Sequence, residues 1–134
     1  MQDKDRELSK YRFSLAQETL ANAKMCLDNR FFRDCINRSY YVAFYAIKAV
    51  LAVESIDFKR HKDAVAYFNK NYVATDVFPR ELGKRLGRIK MIREESDYSD
   101  FFVASLEDAQ KQYETAEYIV DSVETYLKER DVLE

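Results

Sequence analysis

Apolar residues recur along most of this chain at alternating three- and four-residue steps, the spacing of one face of an α-helix. Over residues 4–28, Phe13, Ala16, Leu20, Ala23 and Leu27 hold that spacing, with Leu8, Tyr11 and Leu15 on an adjoining stripe, so a helix burying a broad face is expected. Asp28, Asn29 and Arg30 then supply a polar break with capping residues before Phe31. Residues 31–54 follow a different pattern: from Tyr40 to Val53 only Lys48 lies outside the hydrophobic set. A helix apolar all round must be central, covered by other helices or by a second subunit.

Residues 55–60 read as a connection, and 61–71 as a short helix with Ala64, Val65 and Phe68 inward. Phe78-Pro79-Arg80 restarts the chain, proline being tolerated in a first helical turn. Leu82, Leu86 and Ile89 carry this fourth helix toward Arg93, weakened by Gly83 and Gly87. The helical period is lost in ESDYSDFFVA, residues 95–104, which reads as a loop of aromatic and acidic residues. Ser105 opens the last helix with Asp108 as a weaker capping box. From Leu106 through Ala109, Tyr113, Ala116, Val120 and Val123 to Leu127 the three-four spacing is unbroken. The expected fold is all-α: an up-and-down bundle of four to five helices in a single domain, residues 1–134.

Composition narrows this further. Two glycines and one proline in 134 residues are too few for the many tight reversals of a sandwich, barrel or Rossmann sheet. Twenty-two Lys and Arg against 24 Asp and Glu give a net charge of −2, so nucleic-acid contact would have to come from a local basic patch. The charged start, MQDKDRELSK, is unlike a signal peptide, and no apolar run approaches the roughly 18 residues of a membrane span. A cytoplasmic protein with no membrane partner is expected. Cys26 and Cys35 match neither a zinc knuckle nor a CxxC pair and read as small core residues. With one histidine and no suggestive acidic spacing, no metal site is expected, and no motif calls for a cofactor.

Phosphate-binding glycine loops, HExxH and GxSxG are all absent, so chemistry has to be sought in polar groups at the edges of the buried helix. Arg38, Tyr40 and Tyr41 open its apolar run, His61 opens the third helix, and Arg93, Asp97 and Tyr98 close the fourth. Arg80, Lys84, Arg85, Arg88, Lys90 and Arg93 make the fourth helix basic, with only Glu81 opposing them before Glu94. Arg85 and Arg88 stand at neighbouring helical positions. Their stripe fits RNA phosphates or a nucleotide; it equally fits a solvated face answering Glu114, Glu117 and Asp121 on the last helix.

RSYYVAFYAIKAVL at residues 38–51, RHKDAVAYF at 60–68, REESDY at 93–98 and the aromatic, Ala-rich last helix together resemble the HEPN domains, most of all the small stand-alone bacterial and archaeal ones. The blocks cover almost the whole chain in order. The resemblance implies a four- to five-helix bundle, usually a homodimer, often paired with a minimal nucleotidyltransferase as toxin and antitoxin. Active members resemble metal-independent endoribonucleases and carry an Arg followed a few residues later by His. Arg93 matches, but Tyr98 occupies the histidine position. An imidazole with a pKa of about 6.5 suits both proton transfers of RNA cleavage, whereas a phenol with a pKa of about 10 does not.

His61, after Arg60, offers a substitute if it faces the same cleft: His61 as proton-transfer group, Arg93 as phosphate clamp, Tyr98 or Tyr41 as hydrogen-bond partner. The competing readings are structural: a structural hydrogen bond at a helix start for His61, an ion pair to Asp97 or Glu94 for Arg93, and helix-tying hydroxyls for Tyr40 and Tyr41. The resemblance also implies that a partner can adenylylate a tyrosine near the Arg motif, with Tyr98 the candidate. Three functions follow from these readings: a HEPN-type protein that binds RNA or a nucleotide and works with a nucleotidyltransferase partner, a divergent ribonuclease, or a non-catalytic interaction module.

The apolar run, together with Phe31, Phe32, Phe101 and Phe102, exceeds what one bundle of this size hides comfortably, so a homodimer is expected. Light scattering should return twice the 15.9 kDa chain mass. A monomer at micromolar concentration would refute it.

Overall fold

The computed structural model describes residues 1–134 as five α-helices and no strand. They are α1 (Asp3–Asp28), α2 (Phe32–Ala52), α3 (His61–Phe68), α4 (Arg80–Tyr98) and α5 (Leu106–Glu129), with a π-helical turn, Asn69–Val73, extending α3. The centre is α2, on which α1 and α5 pack most extensively while α3 and α4 cover what remains. No helix is long and apolar enough to cross a membrane.

Close helix approach explains how α2 is covered. Ala43, Ala46, Ala49 and Ala52 are fully or almost fully buried, as are Ala16 and Ala23 of α1. Small side chains let backbones draw together until Ser9 of α1 donates its hydroxyl proton to the Ala49 carbonyl at 2.7 Å, inside the core. Only Tyr41, Tyr45 and Lys48 of the long apolar run stay half-exposed, so α2 keeps one narrow open stripe. The buried face of α1 is narrower than its sequence pattern indicates: Phe13, Ala16, Ala23 and Leu27 are buried, but Leu8 and Tyr11 are exposed. Asp5, Ser9 and Thr19 are buried in their stead.

Helix ends account for the other departures. Asn29 caps the end of α1, donating from Nδ2 to the Met25 carbonyl at 2.8 Å, and leaves the start of α2 without a side-chain cap. With so little glycine, left-handed positions after the helices fall to Arg30 (φ 64°), Ser55 (φ 60°), Asp76 (φ 63°) and Asp131 (φ 59°). After Arg30, Ser55 and Asp131 the next residue's N–H reaches back into the preceding helical turns, as from Phe31 to Cys26 at 2.8 Å and from Val132 to Leu127 at 2.9 Å; after Asp76 it is Phe78, two residues on, that bonds to Tyr72 at 2.8 Å. Pro79 stands just before α4 as its N-cap, not inside its first turn. The third helix stops being α-helical at Phe68, three residues sooner than its pattern suggests, because the chain widens into the π turn. That widening stacks Tyr72 on Phe68 (5.4 Å, 12°) and brings both against Phe78.

Residues 95–98, expected in a loop, are the last turn of α4, closed by the Ser99 N–H to the Glu95 carbonyl at 3.0 Å. The real loop is short and keeps Phe101 94% exposed beside exposed Val103. Phe32 and Phe102 instead pack against a small second core with Cys35, Ile36 and Ala109. Cys35 is buried there, its thiol pushed up to about 11 by burial, while Cys26 is only half-buried. Ser105 and Asp108 form the capping box of α5 as expected.

The two glycines of α4 sit in opposite surroundings. A Cβ at Gly83 would lie 2.9 Å from Val73 Cγ1, whereas one at Gly87 meets nothing within 4 Å. Gly87→Ala should therefore stabilise by up to about 1 kcal/mol through helix propensity alone. Gly83→Ala should melt below wild type as the π turn is pushed away. Equal shifts in paired thermal melts would contradict the close contact.

Candidate functional site

Tyr40 is the residue around which the candidate side chains meet. It is buried on α2 one turn before Phe44, and its hydroxyl lies 2.9 Å from Nδ1 of His61 at the start of α3. Across the same ring, the Arg93 guanidinium from α4 sits 4.9 Å from the Tyr40 centroid and 5.7 Å from that of Tyr41. His61 is wedged between aromatics, 3.7 Å from the Phe44 centroid and edge-on to Tyr41 at 5.6 Å. Three helices thus deliver His61, Arg93, Tyr40 and Tyr41 to one place.

The electrostatics fix which proton is where. Burial pushes the Tyr40 hydroxyl up to about 12, so it keeps its proton, and its only hydrogen-bond partner is His61. Burial first, then the charges of Arg93 and Lys48, lower the pKa of His61, which favours neutral imidazole. A neutral ring that accepts the Tyr40 proton at Nδ1 carries its own proton on Nε2. His61 therefore presents an N–H donor and has no free basic nitrogen.

Arg93 has an incomplete environment. Its Nε lies 2.8 Å from Asp97 Oδ2, with the two side chains 20% and 27% exposed. The ion pair read as structural is present, yet the buried Nε–H is not aimed at the carboxylate and has no aligned acceptor. A buried charged donor left in that condition is worth more to an incoming acceptor than a saturated one.

Other candidates are placed elsewhere. Arg38 is exposed on α2, one turn before Tyr41. Tyr98 ends α4, 78% exposed, outside the aromatic cluster and on a helix instead of the expected loop. Arg85 and Arg88 face α5 in a separate depression, so the basic stripe of α4 does not lead into the Arg93 cluster as a single surface. No ion pair links Arg80, Lys84, Arg85 or Arg88 to the acids of α5; only Lys90 and Arg93 are paired, to Glu94 and Asp97 within α4. Phe44 and Lys48 complete the wall around His61, Lys48 standing over Phe44 at 5.6 Å and bonded to Asp57 at 2.6 Å. The four-residue spacing of Tyr40, Phe44 and Lys48 carries the signal that they share a face; nothing in the sequence says that His61 lies against it.

Comparisons with known proteins agree with this architecture. The HEPN domain model matches residues 9–126. The chain belongs to the HEPN family. A UPF0332 protein of Thermotoga maritima is 30% identical over 129 residues, 96% of this chain and 97% of that protein. Two Methanocaldococcus jannaschii proteins, each bearing the name "putative toxin", are 28% identical over 86% of this chain and 24% identical over 96% of it. Matches cover 85% and 86% of those two proteins.

As this HEPN chain has a single histidine, its imidazole titration can be followed without overlap. NMR should give a pKa below the ordinary 6.5 and the Nε2–H tautomer, and Arg93→Ala should raise that pKa. The sign for stability follows: the unfolded chain takes up the proton first, so stability is full above 6.5 and declines as pH falls through the folded value. A pKa at or above 6.5 would remove the basis for a neutral His61.

Proposed function

We propose that this protein is a toxin-like HEPN protein that holds a phosphate of RNA or a nucleotide between Arg93 and His61 and works with a nucleotidyltransferase partner. The carrying observation is the buried, unaligned Nε–H of Arg93 beside a neutral imidazole whose Nδ1 is occupied by Tyr40. A charged donor without an aligned acceptor and a neutral imidazole N–H suit an oxyanion, and Tyr41 offers a half-exposed aromatic ring at the same place for a base. The names of the two archaeal relatives support the toxin-like reading.

Binding is favoured over cleavage by the same tautomer. Removing the 2′-hydroxyl proton needs a free basic nitrogen, and His61 offers an N–H. Tyr98, exposed at the end of α4, is the phenol that such a partner would reach, its oxygen attacking the α-phosphorus of ATP with pyrophosphate leaving and the phenol proton passing to a base of the partner. The exposed rings of Phe31 and Phe101 supply the apolar surface for a second copy of the chain.

Titration calorimetry with ATP and with a short single-stranded RNA tests the site. Arg93→Ala should weaken whichever binds by about tenfold or more, the scale of a lost charged hydrogen bond. His61→Ala should weaken it less and should also lower the thermal melt, because the buried Tyr40 hydroxyl loses its one acceptor. Unchanged affinity in Arg93→Ala would overturn the assignment, as would RNA cleavage abolished by His61→Ala.

A further inference from the structure

On the face of α4 turned toward α5, Arg85 and Arg88 border a depression of about 130 Å³ whose remaining wall is Lys111, Gln112, Glu114 and Thr115. No hydrophobic side chain lines it. Arg93, five residues beyond Arg88, is turned by about 140° around the helix and belongs to a different surface.

The groups around this depression are held in place yet incompletely used. The Arg85 guanidinium rests on the Tyr118 ring at 4.4 Å, a stack that orients its fork of donors without consuming them. Neither arginine has a carboxylate within ion-pair distance, although Glu114 borders the same space; Glu114 is engaged by Gln110 at 3.0 Å. Lys111 is held at 3.0 Å by Glu107. Gln112 is only 7% exposed, and its amide oxygen is buried with no partner. An unpartnered amide in the wall of a polar hollow, next to two unpaired guanidinium groups, is a costly arrangement unless something fills the hollow.

We infer that this hollow between α4 and α5 is a phosphoryl-anion site, separate from the Arg93 cluster. Three cations border it against one carboxylate, so an anion is favoured. Two arginines three residues apart on one helix match the tetrahedral oxygens of phosphate with paired N–H donors. The Gln112 amide accepts from a phosphoryl or sugar hydroxyl, or after turning over donates to a phosphate oxygen, and the Thr115 hydroxyl lies alongside it. With no hydrophobic or aromatic side chain in its wall the hollow suits a phosphate and not a nucleotide base, so the rest of any larger ligand lies outside it along the cationic surface of α4.

The test follows the side-chain amide resonances of Gln112 by NMR in the full chain, with inorganic phosphate as probe and, separately, a dinucleoside monophosphate lacking terminal phosphates. Phosphate should shift the Gln112 amide at millimolar concentration. Arg88→Ala, an exposed position, and Arg85→Ala should each weaken that effect about tenfold. Arg93→Ala should leave it unchanged, which separates failure of this site from failure of the Arg93 cluster. A response to phosphate alone assigns a free or terminal phosphoryl group, and a response to both probes assigns a nucleic-acid backbone; either sustains the site. A Gln112 resonance that neither probe moves, or one that moves in Arg85→Ala and Arg88→Ala as it does in wild type, would overturn it.

Discussion

Everything else in this molecule is arranged around burying α2, thirteen of whose 21 residues are buried. A single neighbour cannot cover a helix that is apolar on nearly every side, so α1, α3, α4 and α5 all contact it. The alanines decide how close the coverings come. Where α1 lies nearest, a serine hydroxyl bonds directly to an α2 carbonyl, and there is no room for a functional cleft. Polar chemistry is left to the other side, where Tyr41, Tyr45 and Lys48 remain half-exposed and the ends of α3 and α4 converge.

That convergence explains why Tyr40, and not the more exposed Tyr41, organises the site. A buried phenol must place its proton, and the imidazole at the start of α3 is its one acceptor. The same ring offers its face to Arg93, so one side chain sets the tautomer of His61 and positions a cation. Replacing the motif histidine by Tyr98 thus leaves the chain with an imidazole near the Arg, but one whose free nitrogen is a donor.

Helix number and the inward positions of α3 and α4 were legible because their apolar spacing records burial directly; of the α5 series Ala109, Ala116, Val120, Val123 and Leu127 are buried, but Leu106 is exposed and Tyr113 only half-buried. Leu8 and Tyr11 misled because an apolar stripe states that a surface is hydrophobic and not that this chain covers it; Ser9 and Asp5 were invisible as core residues because their partners, Ala49 and Ser55, lie far away in sequence. The extra turn of α4 through Tyr98 carries no apolar residue facing inward, and Ser96, its one buried side chain, is polar. Proximity of His61 to Arg93 could be guessed from their positions at helix ends. The separation of Arg85 and Arg88 from that cluster could not, since it depends on the rotation of α4 against α5, which the chain fixes through packing of Leu82, Leu86 and Ile89.

The two candidate sites differ in how they would respond to an anion. Around His61, burial and the charges of Arg93 and Lys48 oppose protonation. An anion seated beside Arg93 would offset that repulsion and add an attraction of its own, raising the imidazole pKa toward or beyond its ordinary value. Once protonated, Nδ1 becomes a donor and its bond to Tyr40 must reverse, the phenol turning its proton away while Nε2–H still faces the ligand. Binding there would be coupled to proton uptake and to a change in direction of a buried hydrogen bond. No histidine borders the hollow between α4 and α5. An anion between α4 and α5 therefore has no such proton to recruit, and its affinity follows salt much more than pH.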